Sequence, residues 1–147
     1  MTTSAGAILL AGRILFAAFF ANAAYGHVKN HTMMTSYAKQ SGIPLPSVAG
    51  WPAGAWLAAA ALSVAAGIWA DVGALMIAAF VIPAAWFLHA FWKVEDPAQR
   101  QTQRQTQHQS FLRNVAFLGA ALALFAVFAS IDRALRFAVT GSLIHLS

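Results

Sequence analysis

Four long apolar stretches run through the chain, and short polar strips separate them. They cover residues 7–26, 51–70, 72–92 and 111–130. Each stretch is close to the ~20 residues that an α-helix needs to cross a hydrocarbon core of about 30 Å. The pattern therefore predicts an all-α fold, an integral membrane four-helix bundle.

The rest of the chain is too short and too polar for a second core. Two polar strips occupy residues 27–50 and 93–110, and a tail occupies residues 131–147. Of the 147 residues, 60% are hydrophobic and only 9% are charged. We therefore expect one membrane domain over residues 1–147, with the first span retained because no basic leader precedes it.

The polar segments near the C-terminus carry helical patterns of their own. A repeat of Arg-Gln-Thr-Gln would stack Arg100, Arg104 and His108 on one face, which favours a helical extension of the fourth span over a loop. In the tail, Asp132, Arg133 and Arg136 would oppose an apolar side, which is typical of an amphipathic helical tail.

The formal charge of +5 is explained by lysines and arginines that flank the spans. Such residues hold topology and contact anionic headgroups, so the charge does not indicate a nucleic-acid partner. The two long strips hold more of the basic residues than the opposite side. The positive-inside rule then predicts both strips inside and both termini on the same side, outside.

Several kinds of chemistry are excluded or weakly supported. The chain has no cysteine, which excludes a thiol relay, a disulfide and any iron–sulfur or zinc site with cysteine ligands from this chain. His27 and His31 have i, i+4 spacing but lack a third ligand, so a polar loop is the simpler interpretation and no metal is predicted. The four carboxylates form no acid–base pair, so no catalytic residue is predicted.

Two ionisable side chains inside the apolar stretches are functional candidates. His89 ends the third span between Trp86 and Trp92, after a kink expected at Pro83. It would bind a ligand or simply bond to a backbone carbonyl. Arg13 lies in the first span, where it either faces inward or extends its side chain to the membrane surface.

Small residues suggest close helix contacts in two of the spans. The second span is rich in alanine on nearly every side, and the fourth places Val115, Gly119, Ala123 and Ala126 on one face. Such faces let helix backbones approach closely, so we expect them to serve packing within the bundle or against a partner.

Short motifs along nearly the whole chain resemble those of the DoxX-like family. The most specific are His89-Ala90-Phe91-Trp92 and Phe111-Leu112-Arg113-Asn114, separated by a polar strip. Gly12-Arg13-Ile14-Leu15, Gly26 with Lys29, Gly42-Ile43-Pro44 and Gly119 complete the resemblance. One departure is the second span, where the family often carries a glutamate and this chain has Trp56, Leu57 and alanines.

The resemblance implies a small multi-pass protein of the bacterial cytoplasmic membrane. Some members of the family are the quinone-reducing membrane subunit of a thiosulfate oxidoreductase, and others are membrane partners of redox enzymes. The resemblance carries over to Arg13, Lys29, His89, Trp92 and Asn114. These residues would bind a quinone or a lipid headgroup near one interface, or hold the helices in register.

Together, the residues and the resemblance predict an accessory or scaffold subunit of a membrane complex linked to electron transfer. Its partners would be the lipid bilayer and another membrane protein or redox complex. The alternative is a quinone-binding membrane subunit of an oxidoreductase, in which His89 donates a hydrogen bond to a quinone oxygen. A small transporter is the third interpretation. We expect no intrinsic cofactor, with quinone as the one candidate ligand.

Overall fold

The part of the chain that the structure describes contains five α-helices. A computed structural model of the chain describes residues 1–93, 100–131 and 134–146. Its helices are α1 (Thr3–Lys29), α2 (His31–Gln40), α3 (Trp51–Ala66), α4 (Ala70–Pro83) and α5 (Arg100–Ile131). A 3-10 turn at Pro46–Ala49 precedes α3, a π turn at Ala84–Leu88 follows α4, and a 3-10 turn covers Phe91–Lys93.

Four of these helices form a bundle. α1 packs on α3, α3 on α4, and α4 on α5. Phenylalanine rings complete the circle between α1 and α5, because Phe117 lies 4.4 Å from Phe19 and 5.4 Å from Phe20 between ring centroids. The fully buried core is rich in alanine, whereas large apolar side chains such as Ile8 and Leu15 are 74% exposed. That arrangement suits a bundle whose surroundings are lipid rather than water.

Three helical segments are long and apolar enough to cross a membrane. They are Thr3–Lys29, Ala70–Lys93 and Gln101–Ile131. α3 is also apolar but has only 16 residues, which corresponds to about 24 Å at 1.5 Å per residue. The prediction of an all-α membrane helical bundle is confirmed.

The strip over residues 27–50 is not the loop that we predicted. α1 continues to Lys29, and α2 occupies His31–Gln40. Asn30 separates the two helices with non-helical dihedral angles, while its N–H still bonds to the Gly26 carbonyl oxygen at 3.0 Å. Basic residues at the end of α1 favour this extension, since a positive charge stabilises a helix C-terminus.

The turn between α3 and α4 also differs from the prediction. The apolar stretches 51–70 and 72–92 leave only residue 71 between the second and third spans, but α3 ends at Ala66 and Asp71 lies in the first turn of α4. The helix stops at Gly67, whose φ of +69° is in the left-handed region that glycine adopts without strain. The N–H groups of Gly67 and Ile68 both bond to the Ser63 carbonyl oxygen.

Arg13 faces inward and is fully buried. Its guanidinium donates hydrogen bonds from Nε to the Val64 carbonyl oxygen at 2.8 Å and from Nη2 to the Ala65 carbonyl oxygen at 2.9 Å. A third bond runs from Nη1 to the Phe137 carbonyl oxygen at 3.2 Å. The last carbonyls of a helix lack partners within it, and a cation there is favoured by the helix dipole. Arg13 therefore caps α3 and ties it to α1 and the tail.

The tail is not the amphipathic helix that we predicted. Residues 134–146 form an irregular strap, and the predicted polar positions Asp132 and Arg133 lie outside the described residues. The strap's N–H groups bond to the bundle instead of to each other. Thr140 N–H bonds to the Gly67 carbonyl oxygen at 3.0 Å, and the Leu143 and Ile144 N–H groups bond to Asp71 Oδ2 at 3.0 and 2.8 Å.

The strap defines one end of the bundle. The side chain of Arg136 packs directly on Gly6. A Cβ atom added to Gly6 would lie only 2.9 Å from the Cβ atom of Arg136. The beginning of α1, the α3–α4 turn and the strap therefore meet at what we call the tail end. α2, the π turn and the beginning of α5 lie at the opposite end, which we call the loop end.

α5 bears out the helical extension but not the predicted packing face. It begins at Arg100 within the described residues, so the Arg-Gln-Thr-Gln repeat is helical. Val115, Gly119, Ala123 and Ala126 are exposed, and no neighbour comes within 4 Å of a Cβ atom added at Gly119. α5 instead buries the side chain of Phe128, which is larger than these residues and therefore buries more apolar surface area.

Replacing Arg13 by leucine should destabilise the bundle strongly. The variant leaves the carbonyls of Val64, Ala65 and Phe137 without their donor in a setting from which water is excluded. We expect a loss on the order of 3 kcal/mol in the free energy of unfolding. The measurement is unfolding in mixed micelles with increasing SDS, followed by tryptophan fluorescence. Arg104→Leu, at an exposed position of α5, is the control and should unfold like the parent.

Asp71 offers a conservative test of the strap. Asp71→Asn keeps a side-chain oxygen for the two N–H groups of Leu143 and Ile144, whereas Asp71→Leu removes it. We expect Asp71→Leu to lose about 2 kcal/mol and to expose the strap to limited proteolysis, with Asp71→Asn close to the parent. Equal protease resistance in all three proteins would contradict the role of Asp71.

Candidate ligand site

A cavity of about 400 Å³ opens at the loop end, between α1, α2, α4 and α5. Its walls combine a large apolar surface with a few polar groups, as is usual for small-molecule sites. The apolar walls include Phe19, Phe20, Met33, Met34, Phe80 and Leu88. The polar groups are His27, Tyr37, His89, Arg113 and Asn114. We call it the interfacial cavity.

A second, larger concavity is less suited to specific chemistry. A groove of about 580 Å³ runs along the outside of α1 and α3. Its walls are alanine, glycine and aliphatic side chains, with Tyr25 as the polar exception. Size alone would favour this groove, but a ligand there finds little to orient it. The interfacial cavity is therefore the candidate site.

The interfacial cavity exists because α4 stops early. Pro83 is its last residue, and the following π turn widens the backbone over Ala84–Leu88. Single π turns occur often at functional sites, because they leave backbone groups without regular partners. At His89 the backbone leaves helical geometry, with φ −121° and ψ 39°. The carbonyl of Leu88 is then free to accept from another helix.

Three side chains from three elements are linked to that carbonyl. Tyr37 Oη donates to the Leu88 carbonyl oxygen at 2.6 Å. Gln107 Nε2 donates to Tyr37 Oη at 3.4 Å, and His89 Nδ1 lies 2.9 Å from Gln107 Oε1. We call Tyr37, Gln107 and His89 the relay. It joins α2, the end of the π turn and the polar extension of α5.

The order of the relay determines which nitrogen of His89 carries the proton. A carbonyl oxygen only accepts, so the Tyr37 hydroxyl uses its hydrogen on Leu88 and can only accept from Gln107. Gln107 must then present its amide N–H₂ to Tyr37 and its oxygen to His89. His89 therefore donates through Nδ1, and in the neutral imidazole Nε2 is an acceptor.

His27 is held in the same way from α1. Its Nδ1 lies 2.5 Å from the Ala49 carbonyl oxygen, so Nδ1 is the donor and Nε2 is left as an acceptor in the neutral ring. The ring stands edge-on to Phe80 at 5.5 Å between centroids. Two histidines, one from α1 and one that follows the π turn, thus line one cavity, and each is anchored through Nδ1.

Asn114 and Arg113 complete the polar part of the wall. Asn114 Nδ2 donates to the Ser110 carbonyl oxygen one turn earlier at 3.2 Å, which leaves Oδ1 as an acceptor. Arg113 is exposed, and its Nη2 lies 3.5 Å from Ser110 Oγ. Its guanidinium is therefore placed at the rim, where headgroups and water reach it.

The five candidate residues from the sequence do not form one cluster. His89 and Asn114 line the interfacial cavity together. Trp92 lies in a neighbouring aromatic cluster, 5.5 Å from Trp86 and 5.7 Å from Phe111 between ring centroids. Lys29 is exposed and lies 5.3 Å above the Tyr25 ring. Arg13 is at the tail end, so it serves the bundle rather than this cavity.

Sequence reasoning missed the partners that orient His89. Tyr37 and Gln107 lie in polar segments whose patterns gave no sign of a contact 70 residues apart. His27 was considered only as half of a metal pair with His31, but Asn30 breaks the helix between them. Over the ranges that the structure describes, no group of three histidines or carboxylates is placed to hold a metal ion.

A comparison with known families identifies the larger group. The family model described as DoxX matches residues 8–90, which is more than half of the chain. The chain belongs to the DoxX family. No curated protein and no solved structure matches it in the same comparisons. The matched segment of this DoxX protein includes His27, Tyr37 and His89, whereas Gln107 and Asn114 lie beyond it.

The relay makes a testable prediction about a tautomer. In protein with ¹⁵N-labelled histidine, His89 should carry its proton on Nδ1 when neutral, because Gln107 offers it only an acceptor. Tyr37→Phe removes the hydroxyl that orients the Gln107 amide, so we expect the Nδ1–H population of His89 to fall. The measurement is the ¹⁵N chemical shifts of the ring. His31, which is exposed, is the internal reference.

Proposed function

We propose that this DoxX protein binds a quinone-class ligand in the interfacial cavity, as the membrane subunit of an electron-transfer complex. The observation that supports the proposal is the composition of the cavity. Aromatic and methionine side chains surround a few hydrogen-bonding groups at the loop end of an otherwise apolar bundle. A quinone has the matching form, with a flat apolar ring that carries polar oxygens at two opposite edges.

The position of the cavity suits a ligand that comes from the membrane. Phe19, Phe20 and Phe80 belong to the apolar parts of α1 and α4, while Tyr37 and Arg113 lie towards the polar segments. A ligand with an isoprenoid tail would leave the tail in lipid and insert the ring. The cavity of about 400 Å³ falls within the range of about 300–1,000 Å³ that is usual for small-molecule sites.

The electrons would come from a partner. Reduction of a quinone to a quinol takes two electrons and two protons, and this chain has no cysteine to carry electrons through a thiol or an iron–sulfur cluster. The ligand-binding role is thus compatible with an accessory subunit. The chain would bind and orient the quinone, and the partner would deliver electrons to it.

A purely scaffolding role is the second candidate, and one observation favours it. Val115, Gly119, Ala123 and Ala126 form an exposed small-residue face on α5 that the bundle itself does not cover. In lipid, such faces let a second helix approach closely. A partner helix seated there would place the redox complex beside the helix that carries Gln107 and Asn114.

Photolabelling in native membranes tests the ligand-binding role. An azido-quinone should label peptides from α1, α2 or the π turn, and excess unlabelled quinone should prevent the labelling. Ala23→Trp, on the cavity side of α1, should abolish the labelling because the indole fills the space. Ala18→Trp, in the outer groove of the same helix, is the matched control and should keep it.

Two outcomes would contradict the proposal. Labelling that unlabelled quinone does not reduce would reflect non-specific partition into lipid. Labelling that Ala18→Trp and Ala23→Trp affect equally would place the ligand outside the interfacial cavity. Absence of labelling combined with copurification of a redox complex would favour the scaffold role.

A further inference from the structure

We infer that the interfacial cavity selects the reduced, dihydroxy form of its ligand, a quinol, over the oxidised quinone. The inference rests on the proposed function and goes beyond it by naming the redox state that the site prefers. A quinone offers two carbonyl oxygens, which only accept hydrogen bonds. A quinol offers two hydroxyls, which donate. The selection follows from the hydrogen-bonding character of the wall.

Two histidines supply the cavity wall with acceptor nitrogens. His27 uses Nδ1 on the Ala49 carbonyl oxygen, and His89 uses Nδ1 on Gln107 Oε1, so each neutral ring has Nε2 left to accept. Asn114 uses one amide N–H on the Ser110 carbonyl oxygen, which leaves Oδ1 as an acceptor and the second N–H as a donor. The two imidazoles are therefore the groups that offer only an acceptor, and they line the cavity from α1 and from the end of the π turn.

Among the donors of the same wall, the hydroxyl of Tyr37 is already in use, Arg113 is exposed, and Asn114 keeps one N–H. Tyr37 donates to the Leu88 carbonyl oxygen at 2.6 Å, so its hydroxyl hydrogen is not available to a ligand. Arg113 lines the cavity but is exposed on α5, so water competes with a ligand for its N–H groups. A quinone carbonyl placed against the histidines would meet lone pairs. In this inference His89 accepts from a quinol hydroxyl, in contrast to the sequence-based expectation that it donates to a quinone oxygen.

The relay makes the preference a property of the fold rather than of the imidazole alone. A free neutral histidine exchanges its proton between Nδ1 and Nε2, and would serve a donor or an acceptor equally. Here the Leu88 carbonyl oxygen takes the hydroxyl hydrogen of Tyr37, so Tyr37 accepts from the Gln107 amide. The Gln107 oxygen then faces His89 and fixes its proton on Nδ1. Gln107 is a positioning residue in this scheme, because it acts on the ligand through His89.

Tighter binding of the quinol changes the energetics of the bound couple. The couple is quinone plus two electrons and two protons giving quinol, and a site that stabilises the product raises its midpoint potential. For a two-electron couple, each tenfold preference corresponds to about 30 mV. The site would thereby favour electron transfer from a partner onto the bound quinone.

The experiment compares the two redox forms directly. The full chain in lipid nanodiscs is titrated anaerobically with duroquinone and with duroquinol, and nanodiscs without protein give the partition background. We expect the dissociation constant of duroquinol to be at least tenfold lower. Gln107→Leu should reduce the difference to below threefold, because His89 can then place its proton on Nε2. Gln105→Leu, at an exposed position of the same helix, should keep the full difference.

The outcomes separate the inference from the proposed function. If both ligands bind with equal affinity, or duroquinone binds more tightly, the inference is wrong while the cavity remains a quinone-class site. If neither binds above the background, the proposed function itself fails. If Gln107→Leu keeps the full preference while His89→Phe and His27→Phe remove it, the acceptors stand but the relay does not fix them. A preference that survives all three variants would overturn the inference.

Discussion

The rest of the bundle depends on the hydrogen bonds that the guanidinium of Arg13 donates. In a hydrocarbon environment every backbone polar group needs a partner within the protein, and a helix end leaves several carbonyls without one. α3 is short, so its C-terminal carbonyls end inside the bundle instead of reaching the membrane surface. Arg13 supplies N–H donors to the carbonyls of Val64 and Ala65 and to that of Phe137 in the strap. One side chain thereby fixes α1, α3 and the tail together.

That closure explains why the tail is a strap and not a helix. Gly67, in the left-handed conformation, turns the chain sharply and exposes its carbonyl, which accepts from Thr140. Asp71 then stands at the beginning of α4, where its carboxylate accepts two further N–H groups of the strap. Each of these bonds replaces one that a helical tail would have made internally. The tail end becomes a closed, bonded structure around two buried charges.

The loop end is organised in the opposite way. Pro83 stops α4, and the π turn after it leaves a gap beside the phenylalanine contacts that join α1 and α5. Polar groups from separate elements meet around this gap, so that a cavity with hydrogen-bonding groups lies beneath the polar extension of α5. The tail end is thus closed by hydrogen bonds, whereas the loop end contains an open cavity.

The sequence by itself determined the class of the protein. Apolar stretches of membrane length can only be satisfied as helices in lipid, so the all-α membrane bundle followed from composition and spacing. The helical repeat from Arg100 was also within reach, because it depends on local periodicity. The side to which Arg13 points was not, because its acceptors lie on α3 and in the tail. His89 and Asn114 emerged as candidates from position and from the family resemblance.

Only the tertiary structure decided which of these residues work together. Arg13 and His89 belong to opposite ends of the bundle, although one resemblance named both. The contacts of His89 with Gln107 and of Tyr37 with Leu88 join segments far apart in the chain, and no periodicity encodes them. The tail forms a strap because it bonds to acceptors at Gly67 and Asp71, which are brought together only when α3 and α4 pack. A hydrogen bond between distant segments is a property of their packing, and the sequence of either segment alone does not contain it.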